Sequence, residues 1–205
     1  MALGAHMISN FYPTYDRMKQ SIKAVAAVAF AAFVLTGCVT QDPRLTETLK
    51  GVQVAAVQVE ATPDVATGAP MLNNMTPQQQ VALVVSSLQN VATRELKGYP
   101  GGKKPVRLVI TLQSADLASM QGRVLLSSDS YISGTVRLED ITTGQLVAQN
   151  PQIRGENTAV KGGDLGGMAI ALAVNAMMTK SQDQLAEKLA IDFTKNIKTW
   201  LTPKK

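Results

Sequence analysis

Apolar and polar residues alternate in three stretches of this 205-residue chain and recur every three to four residues in two others. Those two periods lay out most of a fold. The first alternating stretch, GVQVAAVQVEA over residues 51–61, has Val52 and Val54 in one phase and Val57 and Val59 in the other, which predicts a strand with a bulge at Ala55-Ala56. A turn-rich loop is expected from there to Met75. The second, KKPVRLVITLQSAD, puts Val106, Leu108, Ile110 and Leu112 on one face against Arg107, Thr111 and Gln113, a half-buried strand. In the third, Ile132, Val136 and Leu138 alternate with Thr135, Arg137 and Glu139. Asp140 to Gly144 then offers a turn, and Leu146, Ala148 and Ile153 continue past it, interrupted by Pro151. This predicts a hairpin whose second strand lies at a sheet edge, where proline is tolerated.

The helical period is equally plain. Thr76, Pro77 and Gln79 supply an N-cap, a first-turn proline and a capping-box glutamine. Val81, Val84, Val85, Leu88, Val91 and Ala92 then form one stripe, which Gly98 and Pro100 end. Ser181 and Gln184 repeat the capping pattern before a stripe of Leu185, Leu189, Phe193, Ile197, Trp200 and Leu201, opposite Glu187, Lys188, Lys195 and Lys198. Between the two helices lies KGGDLGGMAIALAVNAMM, two glycine pairs leading into a nearly uncharged apolar run. That run is too short to span a bilayer, which takes about 20 residues. It is expected either as a helix buried on most sides or as one seated against a partner. The order strand, helix, two or three strands, helix predicts an α+β domain, with a single mixed or antiparallel sheet and two main helices on one face, preceded by a signal peptide.

From Met18 the chain runs MKQSIK, AVAAVAFAAFVL, TGC: charged, apolar, then small residues, the order of a secretory signal. We therefore divide the chain into 1–17, an upstream extension or misassigned start; 18–37, the signal; 38–50, a polar lipidated tether; and 51–205, the domain. Leu35-Thr36-Gly37-Cys38 resembles the bacterial lipobox. The resemblance implies cleavage before Cys38, a diacylglyceryl thioether on its sulfur and an acylated new amino terminus. Two or three chains at about 0.8 kcal/mol per buried methylene make a stable anchor. Val39 in place of aspartate resembles the signal for export to the outer membrane, facing the periplasm, over retention at the inner one. As the one cysteine of the chain, Cys38 has no intramolecular disulfide partner.

Composition narrows the chemistry. With 45% hydrophobic and 17% charged residues the chain can build a core, and the net charge of +5 is scattered, so no nucleic-acid surface is expected. The one histidine, His6, precedes the signal, which removes serine–histidine–acid and cysteine–histidine catalysis and a zinc site from the mature domain. The carboxylates Asp64, Asp116, Asp129, Glu139, Asp140, Glu156 and Asp164 remain, with Glu139 and Asp140 expected on opposite faces of a strand. We expect no catalytic residue, no metal and no cofactor other than the covalent lipid on Cys38. Gly162-Gly163-Asp164-Leu165-Gly166-Gly167 lacks the Gly-Lys-Ser/Thr ending of a phosphate loop and the spacing of a dinucleotide fingerprint. It is expected to make a tight turn and a close approach, and Gly162, Gly163, Asp164, Gly166, Gly167 and Met168 are candidate contacts for a partner or ligand. Lys195, Lys198, Lys204 and Lys205 with Trp200 read as a solvated helix face, a core tryptophan and a basic tail, the alternative being contact with anionic lipid headgroups with Trp200 at the interface.

The lipobox, the order of elements, LEDITTG at the hairpin turn and the glycine/alanine-rich stretch together resemble small envelope lipoproteins with a TolB amino-terminal-domain type of fold, over roughly residues 51–201. That group includes uncharacterised proteobacterial lipoproteins, ABC-transporter auxiliary lipoproteins, activators of penicillin-binding proteins and the curli secretion lipoprotein. No catalytic residue transfers from any of them, and the long amphipathic hairpins of a curli-type pore are missing. The anchor, the missing histidine and the short tether lead us to expect a non-enzymatic binding or adaptor module of an envelope complex, attached to the membrane by its lipid and contacting an envelope protein through a sheet edge or the glycine-rich helix. The alternatives are an accessory subunit of a lipid or solute transporter and a carboxylate-based enzyme. The oligomeric state is left open.

Overall fold

The alternating stretches form four strands: β1 (Val52–Thr67), β2 (Lys104–Asp116), β3 (Ser130–Asp140) and β4 (Leu146–Asn157). The computed structural model describes residues 43–68, 75–178 and 181–203; the signal segment, the lipobox and Cys38 lie outside them. The strands lie in one sheet in the order β1-β2-β3-β4. The first pair is parallel, the other two antiparallel. A parallel pair needs a long crossover, and the helix α2 (Pro77–Leu96) provides it. The other helices are α1 (Pro43–Lys50), α3 (Met120–Leu126), α4 (Leu165–Met178) and α5 (Gln182–Leu201). The fold is the expected α+β arrangement with a mixed sheet.

Helices α2 and α5 pack on one another and on one sheet face, α2 over β1 and β2, α5 over β3 and β4. Their apolar stripes close the core: Leu88 and Val91 from α2, and Leu189, Phe193 and Ile197 from α5, meet Val54, Leu108, Ile110, Val136 and Leu138 of the sheet, all buried. Trp200 is half-buried against the same core. Lys198 of α5 places its ammonium 2.8 Å from Glu95 of α2, which holds the Glu95 carboxyl below its ordinary range.

Local signals act as expected. Thr76 Oγ1 accepts from the Gln79 amide at 3.2 Å and Gln79 Oε1 accepts from the Thr76 amide at 2.8 Å, a complete capping box. Gly98, at φ 86°, stands just past the end of α2. In β1, Val54 pairs with Val106 and Ala56 with Arg107, leaving Ala55 as the extra residue of a bulge. The Asp140 carboxylate accepts from the amides of Thr142 and Thr143, each at 3.0 Å, to shape the β3–β4 turn.

Two segments differ from the sequence reading, and a third forms a helix where the sequence shows no regular period. Residues 43–50, expected as part of a polar tether, form α1, because Leu45 and Leu49 one turn apart give it an apolar edge, and Leu49 is wholly buried in the core. Strand β1 runs on to Thr67 where a loop was expected, through a second register shift between Ala61 and Ala66 that accommodates Pro63 on an edge strand. Residues 120–126 fold as α3, its N-cap Ser119 accepting from the Gly122 amide at 2.9 Å.

Candidate functional site

The carboxylates singled out from the sequence are dispersed and mostly paired. Glu139 lies 3.5 Å from Arg137, and Glu156 lies 2.5 Å from Arg154. Asp140 is used by its turn and by Lys104 at 3.4 Å. Asp129 accepts from Lys161 at 2.8 Å and from the Ala159 amide at 2.9 Å; the lysine bond is the main reason its pKa lies below the ordinary value. Asp116, near the end of β2, is shifted the other way by burial. Among the described residues no three His, Cys, Asp or Glu side chains come together as a metal site. An open groove of about 370 Å³ between α2 and α5 includes Ser87, Asn90, Arg94 and Glu187 among its walls. Its arginine already lies 3.3 Å from Glu95 and 4.0 Å from Glu187.

Among the described residues one charged side chain is fully enclosed. Arg123 of α3 donates to the Asn157 carbonyl at 3.0 Å, to Asn157 Oδ1 at 2.7 Å and to Ser130 Oγ at 3.3 Å. Burial lowers its pKa and the nearby Asp129 charge opposes that shift. These bonds tie α3 to the start of β3 and the end of β4. Arg123 is structural, and a Met-Gln-Gly-Arg segment gave no periodic signal of it.

Helix side chains cover part of each sheet edge. On β1, Gln89 of α2 accepts from the Val59 amide at 3.0 Å and donates to the Val57 carbonyl at 3.1 Å, replacing a neighbouring strand. The turn after α2 continues the cover: Gly98 N donates to Val54 O at 2.8 Å, and Val54 N donates to Tyr99 O at 2.9 Å. On β4, Asp192 accepts from the Glu156 amide at 3.0 Å and Asn196 donates to the Arg154 carbonyl at 2.8 Å. Pro151 adds a position with no N–H to offer. These caps oppose strand addition, one of the two expected docking routes.

Helix α4 is inverted. Its buried residues are Ala171 and Asn175, while Leu165 is 88%, Ile170 65% and Met177 75% exposed. Asn175 Oδ1 accepts from Val160 N at 2.9 Å and Nδ2 donates to Val160 O at 3.0 Å, so the polar side chain of this apolar helix fastens it to the body. Leu125 and Leu126 of the neighbouring α3 are also exposed. Burial on most sides, one of the two readings for this run, is not what the fold provides.

The glycine segment builds the start of that helix. A Cβ on Gly162 would collide with the backbone of Gly167 and Met168, so the close approach is real and needs glycine. Asp164 caps α4, its Oδ1 accepting from Gly167 N at 2.6 Å and its carbonyl accepting from Met168 N at 2.8 Å. Gly163 has open space around it, and Gly166 and Met168 are exposed. Of the six candidate contacts, Gly162, Asp164 and Gly167 thus have structural duties. The other three face outward or stand in the open.

No helix among the described residues is long and apolar enough to cross a membrane. No protein-family model matches the chain, and no curated protein matches it. Solved structures with similarity include a candidate lipoprotein from Caulobacter crescentus CB15, 13% identical, covering 79% of this chain and 98% of that one, with a TM-score of 0.29. A DUF330 protein from Xanthomonas campestris is 13% identical over 71% of this chain and 85% of its own, with a TM-score of 0.32. The PelC dodecamer from Paraburkholderia phytofirmans is 12% identical over 64% and 87%, with a TM-score of 0.30. Likeness at this level carries no inference about ligand, activity or partner.

Proposed function

We propose that this protein is a lipid-anchored lipoprotein of the bacterial outer membrane, facing the periplasm, and that it works without catalysis as a binding or adaptor module of an envelope complex, docking protein through α4. The observation that carries the reading is the inversion of α4, which turns its polar residue inward and its large apolar residues outward. Water is a poor neighbour for such a surface, and contiguous exposed apolar patches mark interaction sites. The partly covered edges of β1 and β4 favour this helix over strand addition as the docking route. The lipobox at residues 35–38 supports the anchor.

Two measurements test the reading. Cys38→Ser should block lipidation and leave an uncleaved precursor; release of fully processed soluble protein by the unsubstituted chain would overturn the anchor. A photo-crosslinking residue at Ile170, in intact envelopes, should trap protein. Trapping phospholipid would instead favour the accessory transport role, and trapping nothing would remove α4 as a docking surface. As Asp164 is occupied in capping α4 and Glu156 in an ion pair, a carboxylate enzyme is the weakest alternative.

A further inference from the structure

Seen down its axis, α4 has an ordered outer surface. Ala171 and Asn175 point into the body, and the 3.6-residue period sets Gly166, Ala169, Ala173 and Ala176 on the opposite side. Leu165 and Leu172 flank this small-residue strip on one side, Ile170 and Met177 on the other, and all four are exposed. A low centre between two apolar ridges is the shape another helix fits, because small residues let backbones approach while the ridges seat in the facing grooves. The helix carries no charged residue from Leu165 to Met178.

We propose that the occupant is α4 of a second copy of this chain, forming a two-fold pair; this rests on the reading of α4 as a docking surface. An isologous contact sets a patch against itself, so any charge in it would face its own like. A wholly uncharged strip meets that condition. Leu165, Ile170, Leu172 and Met177 beside that strip, with Leu125 and Leu126 of the neighbouring α3, supply exposed apolar surface for such a contact.

The chain ahead of α1 favours a second copy over the anchoring bilayer. Val52 pairs with Lys104 and Val106 with Asp140, so α1 joins the sheet at the end where β1 and β2 begin. Asp116 pairs with Tyr131 and Tyr131 with Glu156, which places α3 and α4 at the other end, about 40 Å away along β2. From Cys38 to Pro43 the chain extends at most ~18 Å. An anchor on Cys38 would tether the domain within that reach of α1 and confine copies to one membrane plane, where a two-fold axis along the membrane normal can pair their α4 helices. Confinement to that plane raises their effective concentration.

The test uses the mature lipidated protein in intact envelopes, with Cys38 blocked by its lipid. Ala173→Cys, at the centre of the strip, should give a covalent dimer of twice the monomer mass under mild oxidation. Gln149→Cys, on β4, should remain monomeric, and the unsubstituted protein sets the background. Ala173→Arg should abolish the pair, measured by the mass of the detergent-solubilised protein, while leaving the circular dichroism of the folded domain unchanged. Absence of the Ala173→Cys dimer, with a photo-crosslinker at Ile170 trapping a different protein, would overturn the second copy and leave the docking reading standing. Absence of both products would overturn both.

Discussion

Helices α4 and α5 follow one another in the chain and are held by opposite means. Along α5 the apolar residues keep the helical period, and Leu185, Leu189, Phe193, Ile197 and Leu201 all face the core. Along α4 they occur at nearly every position, so no orientation could hide them all on one side. Its attachment falls instead to Asn175, Ala171 and the backbone contact of Gly162 with Gly167. The first helix belongs to the stability of the domain. The second leaves its large side chains available to something else.

The sharpest way to break that contrast is to shorten one residue on each helix. Phe193→Ala should cost about 3–5 kcal/mol in denaturant unfolding, and Ile170→Ala should stay within about 0.5 kcal/mol. Equal losses would make α4 part of the core. Arg123→Ala, which leaves Asn157 and Ser130 without their buried donor, should cost about 3 kcal/mol in the same measurement. Asn175→Ala strands both backbone groups of Val160 and should cost about 1–3 kcal/mol, read as faster hydrogen exchange over residues 158–178 with the amides of β2 unchanged. Gly162→Ala should reproduce that local loosening, and Gly163→Ala, with no atom near its added methyl group, should not.

The smallest expected effect is on pH dependence. The pKa of Asp129 is lowered in the fold, first by Lys161, so its stabilisation is present above the unfolded value and is lost as pH falls through the folded one. Asp129→Asn should flatten that acid limb of the thermal midpoint. Asp116 has the opposite sign: burial raises its pKa, so its ionisation penalises the fold above the unfolded value, and Asp116→Asn should raise the midpoint slightly at neutral pH and not in acid.

Legibility in the sequence followed locality. The capping box at Thr76, the bulge at Ala55, the turn at Asp140 and the edge position of Pro151 each rest on a few neighbouring residues, and each is found in the fold. Helix α1 was hidden because eight residues with two leucines are too short to show a period. The edge caps were hidden for another reason: Gln89 meets Val59 across 30 residues, and Asn196 meets Arg154 across 42, so no local pattern announces them. At the candidate site the close approach of the glycines was visible, as was the apolar run. The inward turn of Asn175 depended on where Val160 lies in three dimensions.

The closing of β4 has a consequence for how the chain can be delivered. All four strands are complete by Asn157, but Asp192 and Asn196 arrive only with the last helix. A polypeptide emerging amino terminus first thus has all four strands available before the side chains that cover Glu156 N and Arg154 O. A truncation that removes α5 would accordingly leave these two groups of β4 open to strand addition.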